Sequence, residues 1–284
     1  MEIVLSLVSA LLFALGTVLQ QRAGVSAPSE GAHAGLILRM ARRPVWVAGI
    51  CSDGLGFVAQ AAALGIGRLA VVQPLLVFSV VFALPLGVRL SGQRVRRSDI
   101  AAAALVVAGL IAFLAVASPS DGRSEAPLSS WLFVGIVCAA LCTPLALLGR
   151  HGLAPRRAAL LGTATGILFA LCAALTKAVV DELHAGIVTI LGSWELYALV
   201  GVGYASMTLN QLALNTGALA ATIATSTAAD PIASVVLGLA LFHESLDLTG
   251  LRAIGTVAAL IAALAGLALL AQAQEHPIPA PTTT

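Results

Sequence analysis

The sequence predicts an all-α polytopic membrane protein of about nine transmembrane helices in an inverted-topology repeat, helices 1–4 matching helices 6–9 and helix 5 linking them. Three observations predict it. Of 284 residues, 59% are hydrophobic and only 10% charged, with a mean hydropathy of +1.01. A soluble domain carries roughly 25% charged residues, so this chain could not clothe a surface in water. Apolar runs of the length that crosses a bilayer's hydrocarbon core recur from end to end. The two halves of the chain, finally, match each other in sequence.

The spans fall at 3–21, 45–65, 69–90, 99–118, 130–148, 158–179, 194–213, 217–242 and 250–272. Ala32-His33-Ala34 after the first span resembles a signal-peptide cleavage site. The start, however, carries Glu2 and no Lys or Arg, and its apolar run is long for a signal, so it reads as a permanent helix. Span 3 contains Gln73-Pro74 and then Pro85. Each proline removes a ladder hydrogen bond, which predicts a kinked helix lining a cavity. Ser118-Pro119-Ser120-Asp121-Gly122 consists of turn formers and reads as a water-exposed loop. Residues 1–148 make the first repeat plus the linking helix, 158–272 the second repeat, and 273–284, with Pro277–Pro281, a disordered tail.

Lys and Arg set the orientation. With the N-terminus outside, the inner loops carry Arg22, Arg39, Arg42, Arg43, Arg89, Arg94, Arg96, Arg97, Arg150, Arg156 and Arg157. The outer side keeps Arg68, Arg123, Lys177 and Arg252. That bias predicts an outer N-terminus, an inner C-terminus and the cytoplasmic (inner) membrane of a bacterium.

The repeat rests on co-linear matches. Leu12-Phe13-Ala14-Leu15 matches Leu168-Phe169-Ala170-Leu171 at an offset of 156, and Lys177 falls on Gln21. Gln60 then matches Gln211, Gly87 matches Gly238 and Gln93 matches Glu244, all at an offset of 151. An odd number of spans separates the copies, so the second enters the membrane from the opposite side, as in many secondary transporters.

Polar groups inside hydrocarbon are costly, and those that persist are site candidates. Span 8 carries Thr222, Ser226, Asp230 and Ser234 on one helical face. Pro231 frees the carbonyl of Thr227 beside Asp230, an arrangement for a cation, a proton or a substrate amine; a hydrogen-bonded helix seam with a proline kink is the plainer alternative. On span 7, Tyr204, Thr208, Gln211 and Asn215 share a face and read either as contacts for a polar organic substrate or as interhelical glue. Gln60 and Asp53 lie on span 2. Asp53 reads as a second protonatable acid or as an acid paired with an amide. Lys177 reads as an ammonium snorkelling to the interface or as a cation guarding the cavity, balanced by Asp53 or Asp230.

Other chemistries lack their residues. Cys51, Cys138, Cys142 and Cys172 lie in apolar runs without a Cys-x-x-Cys pair and read as small buried hydrophobes. His33, His151, His184, His243 and His276 are scattered singly, so no metal site or cofactor is expected. No phosphate loop or nucleophile elbow occurs, no catalytic cluster lies at either interface, and no enzyme is expected. A net charge of +2 gives no footprint for nucleic acid.

Asp230-Pro231, Gly238, Phe242-His243-Glu244, Leu246, Gly250 and Gly255 resemble the drug/metabolite transporter superfamily of the EamA-like kind, in its pattern of a helix proline, a glycine, a Glu-x-Leu turn and a glycine-bearing next helix. With the repeat, the resemblance extends over nearly the whole chain. It implies a pseudo-symmetric bundle around a central cavity lined largely by helices 1, 3, 4, 6, 8 and 9. The family's usual count is ten helices, and Gln93 here stands where the first copy would carry Glu. Trp46, Gly49, Ala63-Leu64, Val72, Pro74-Leu75 and the Arg-rich loop after span 3 are similar to the NIPA-type magnesium transporters of the same superfamily.

The leading expectation is a secondary transporter moving a small organic metabolite or drug by alternating access, with proton coupling through Asp230 or Asp53. The alternatives are a magnesium or other divalent-cation transporter, in which Asp53 and Asp230 would have to converge, and a lipid flippase or non-transporting membrane partner. The expected partners are a small-molecule or ion substrate and the lipid bilayer, and the chain could pair with a second copy of itself.

Overall fold

A computed structural model describes residues 1–25, 43–91, 95–120, 122, 126–183, 186–247 and 249–273. Eleven helices make up almost all of these: α1 (Glu2–Val25), α2 (Pro44–Ile66), α3 (Leu69–Leu76), α4 (Phe78–Ser91), α5 (Arg97–Ala117), α6 (Leu128–Leu148), α7 (Ala154–Glu182), α8 (Ile187–Gly192), α9 (Trp194–Leu214), α10 (Leu219–Leu241) and α11 (Leu251–Ala273). Eight described helical segments, with α3 and α4 taken together, are long and apolar enough to cross a membrane. The chain is therefore an all-α, multi-pass membrane protein. The ninth expected span forms as α9, of spanning length, but Glu195, Asn210 and Gln211 dilute its apolarity. Ala32-His33-Ala34, Gln93, Asp121 and the Pro277–Pro281 tail lie outside the described residues, as do His33, His184, His276, Arg39, Arg42, Arg94 and Arg123.

The expected break in span 3 is present. Pro74 has no N–H for the ladder, and the helix stops at Leu76 and restarts at Phe78. Val77 bridges the two pieces by donating to the carbonyl of Pro74 at 3.2 Å. Pro85 and Pro231, by contrast, lie inside continuous helices.

Small residues let the helices approach closely, as bilayer packing requires. Gly16 of α1 lies against Gly49 and Asp53 of α2. On the same seam the Ser9 hydroxyl donates to the carbonyl of Gly56 at 2.8 Å, and Ser52 to that of Leu12 at 2.8 Å. Gly162 and Gly166, one turn apart on α7, form the trough that receives the α10 backbone. A Cβ at Gly166 would stand 2.7 Å from Ala229 Cβ and 2.9 Å from Asp230 N. Helices α5 and α11 pack with the same intimacy: Gly109 abuts Ala259 and Ala263, and Gly266 abuts Ala102 and Val106.

One end of the bundle is closed by a charged network. The Glu244 carboxylate accepts the N–H groups of Leu69 at 2.7 Å and Ala70 at 2.9 Å. It thus satisfies orphan donors at the start of α3 and meets the positive end of that helix. Gly238 leaves room for this carboxylate, since a Cβ there would strike Oε2. Lys177 Nζ donates to the carbonyls of Leu64 at 3.0 Å and Gly67 at 2.6 Å, the exposed end of α2. Between them Arg68 pairs with Glu2 and donates to the carbonyl of Pro119. Trp131 closes the apolar side, edge-on to Phe242 and to Trp194.

Candidate functional site

Between these seams lies a cavity of about 730 Å³, lined from α1, α2, α3, α4, α7, α9 and α10. Asp230, at the middle of α10, is the one acid on its wall among the described residues, and none of the described Lys, Arg or His residues lines it. Ser234, one turn on, donates to Asp230 Oδ1 at 3.2 Å, so Oδ1 is partly occupied by the protein itself. Pro231 and Thr227 share the wall. The proline ring therefore leaves the Thr227 carbonyl without its usual helical donor beside the carboxyl group.

Gln73 and Gln60 face Asp230's cavity from the other half of the chain. Gln73 is 3% exposed and its Nε2 meets no acceptor. A buried amide donor without a partner is expensive, and here it borders an open volume that a ligand's oxygen could enter. Phe13, Phe57 and Phe169 supply broad apolar surface, and Asn210, Ser206 and Thr176 add short polar groups. A few convergent polar groups on a largely apolar wall describe a small-molecule site.

Three sequence candidates, Asp230, Gln60 and Gln73, come together on this wall. The others do not reach it. Thr222 is buried with its hydroxyl donating to the Ala213 carbonyl at 3.0 Å, and Ser226 donates to Ile223 at 3.3 Å; both belong to the seam where α10 meets α7 and α9. Tyr204 is 77% exposed, and Thr208, Gln211 and Asn215 point outward on the same side of α9. Asp53 accepts from Gln20 Nε2 at 2.5 Å in the α1–α2 seam, the amide-paired alternative. Lys177 does not line the cavity; its ammonium lies in the charged network at the end of the bundle. It holds the end of α2, with its ammonium 5.4 Å from the Phe242 ring centre.

The residues that sequence reasoning missed are mainly Asn210 and Ser206. Gly203, Ser206 and Asn210 lie at i, i+3 and i+7, the face of α9 turned toward α7 and the cavity. The available signal was size: small residues mark the face that packs closely, whereas long polar side chains can turn outward.

A Corynebacterium glutamicum protein, uncharacterized protein Cgl0250/cg0304, is 34% identical over 246 residues, covering 86% of this chain and 85% of that protein. The chain belongs to the same family. No family model matches it, and no solved structure does. The aligned length exceeds any one bundle seam, so the relationship extends over both halves that build the cavity.

Proposed function

We propose that this protein is a secondary transporter of the drug/metabolite superfamily, EamA-like, moving a small organic solute across a bacterial cytoplasmic membrane by alternating access. The observation that carries the proposal is the intramembrane cavity in which a lone acid, Asp230, faces amides from the other half of the chain. An ionisable side chain so situated is costly, and its retention is by default the mark of a functional site.

The inverted repeat supports this reading. Phe13 and Phe169, 156 residues apart, both line the cavity, as do Leu76 with Thr227 and Ser79 with Asp230, each pair 151 residues apart. These are the offsets of the sequence match. The α5–α11 contact behaves likewise: Gly109, Ala102 and Val106 lie 157 residues before Gly266, Ala259 and Ala263, and each set receives the other. Reciprocal contacts of this kind between antiparallel helices are what a two-fold axis in the membrane plane produces. Nine crossings follow if α9 also spans. The charged network then joins the halves on the outer side, leaving Arg22, Arg43, Arg89, Arg96, Arg97, Arg150, Arg156 and Arg157 at the inner side.

A divalent-cation transporter would need converging oxygens. Asp53 is occupied by Gln20 away from Asp230's cavity, which favours the organic solute. The test is purified protein in liposomes, offered pooled metabolites and, separately, Mg²⁺, with and without a pH gradient. Saturable uptake of an organic solute that depends on Asp230 supports the proposal. Uptake of Mg²⁺ alone overturns it.

A further inference from the structure

The turn that joins the two halves, residues 149–153, carries a second concavity with different chemistry. It encloses about 550 Å³ and is lined by Leu147, Leu148, Arg150, His151, Gly152 and Arg156. The turn lies between two membrane spans, Leu128–Leu148 and Ala154–Glu182, and therefore at the membrane surface. Part of its backbone is paired locally: Arg150 N and His151 N donate to the carbonyls of Leu147 and Leu148, and Gly152 takes φ +107°, a conformation that favours glycine. The turn presents its charged side chains outward.

Those side chains differ from two of their neighbours. Arg43 donates to the carbonyl of Ala23, and Arg157 to that of Gly149. Arg150, His151 and Arg156 meet no acceptor among the described residues, yet they share one pocket. No acid lines it. Its membrane-side wall is Leu147 and Leu148, half exposed, with Leu153 80% exposed beside the pocket. The pocket therefore presents guanidinium donors toward water and a greasy wall toward hydrocarbon.

We propose that this pocket binds one anionic phospholipid, its phosphate held by Arg150 and Arg156 with His151 alongside, and an acyl chain laid against Leu147 and Leu148. Guanidinium groups match phosphate oxygens in geometry as well as charge, and basic pockets at the membrane face are suited to acidic headgroups. A free phosphate would use the arginines but leave the leucine wall uncovered. The charge and the wall together select a lipid. The proposal stands apart from transport and holds whatever the central cavity carries.

The test uses full-length protein, delipidated in detergent and titrated with phosphatidylglycerol or phosphatidylcholine in mixed micelles, with Tm and lipid retention in native mass spectrometry as readouts. Phosphatidylglycerol should raise Tm and remain bound, and phosphatidylcholine should do neither. R150Q/R156Q should weaken phosphatidylglycerol binding by about thirtyfold. R89Q/R97Q, which removes equal charge from exposed positions at the same end, should leave it unchanged. Equal losses in both double variants would reduce the effect to bulk charge and overturn the site. An undiminished response in R150Q/R156Q would overturn it too. If glycerol 3-phosphate or inorganic phosphate alone reproduced the wild-type shift, the occupant would be a free anion and the lipid assignment would fall. Because the wild-type comparison of the two lipids needs no variant, poor folding of a mutant cannot shield the proposal.

Discussion

Asp230 gains its meaning from what surrounds it: Ser234 holds one oxygen, Pro231 frees a carbonyl nearby, and no other described residue of the wall carries an opposite charge. Asp230→Asn keeps the size and the Ser234 contact while removing titration. If Asp230 couples protons, liposomes bearing the variant should exchange solute between the two sides yet fail to accumulate it under a pH gradient. Normal gradient-driven accumulation by folded Asp230→Asn would end the coupling role. Two glycines separate packing from transport. Gly166→Leu must push Ala229 and the α10 backbone apart, and should destabilise the protein by about 1–3 kcal/mol, read as a lowered Tm. A Cβ at Gly203 meets nothing within 4 Å although the residue lines the cavity. Gly203→Ala should leave Tm near wild type and alter solute affinity, and a large Tm loss there would contradict the packing described.

At the scale of the element, the α10–loop corner titrates. Burial pushes Glu244 above the ordinary carboxylate value, against the Ala70 and Leu69 amides and the charges of Lys177 and Arg68. A carboxyl group whose folded value is raised contributes stability that is complete below its unfolded value and is lost as pH climbs through the folded one. The Tm of wild type minus that of Glu244→Gln should therefore fall as pH rises from the ordinary carboxylate range. A difference flat with pH would contradict the burial of this group. Much of the element level was legible in the sequence. Apolar runs located the helices, and Pro74 marked the part of span 3 that breaks, at Val77, whereas Pro85, read in the same way, lies inside a continuous helix. The cavity face of α9 was not legible. Asn210 and Gln211 are adjacent and about 100° apart on a helix, so periodicity alone could not choose between them. The partner of Lys177 was hidden for another reason: it is a pair of backbone carbonyls, and carbonyls leave no trace in the residue alphabet.

At the scale of the whole molecule, charge divides between the two ends. Glu2, Arg68, Lys177, Glu244 and Asp247 gather at one, and eight described arginines gather at the other with Asp99 as their acid. The positive-inside tendency then predicts that a C-terminal reporter is active on the cytoplasmic side. A C-terminal alkaline phosphatase fusion that is active, marking an outer C-terminus, would reverse the assigned orientation. The fold class followed from composition because a chain crossing hydrocarbon must satisfy its backbone internally, as a helix or a closed barrel, and continuous apolar runs of this length select the helix. The central site followed only in part, because it is assembled from residues such as Gln73 and Asp230 that lie far apart in sequence and meet only through packing.

The bond from Lys177 to the end of α2 carries a consequence for how the chain is built. A ribosome delivers the first half before the second. When α7 enters the membrane with its buried ammonium, the carbonyls of Leu64 and Gly67 are already there to receive it. The second half synthesised alone would bring that ammonium into lipid with nothing to hold. Its insertion should be inefficient, and should recover when residues 1–148 are supplied as a separate chain or when Lys177→Met removes the charge. These outcomes would make the early half of the polypeptide an assembly scaffold for the late half.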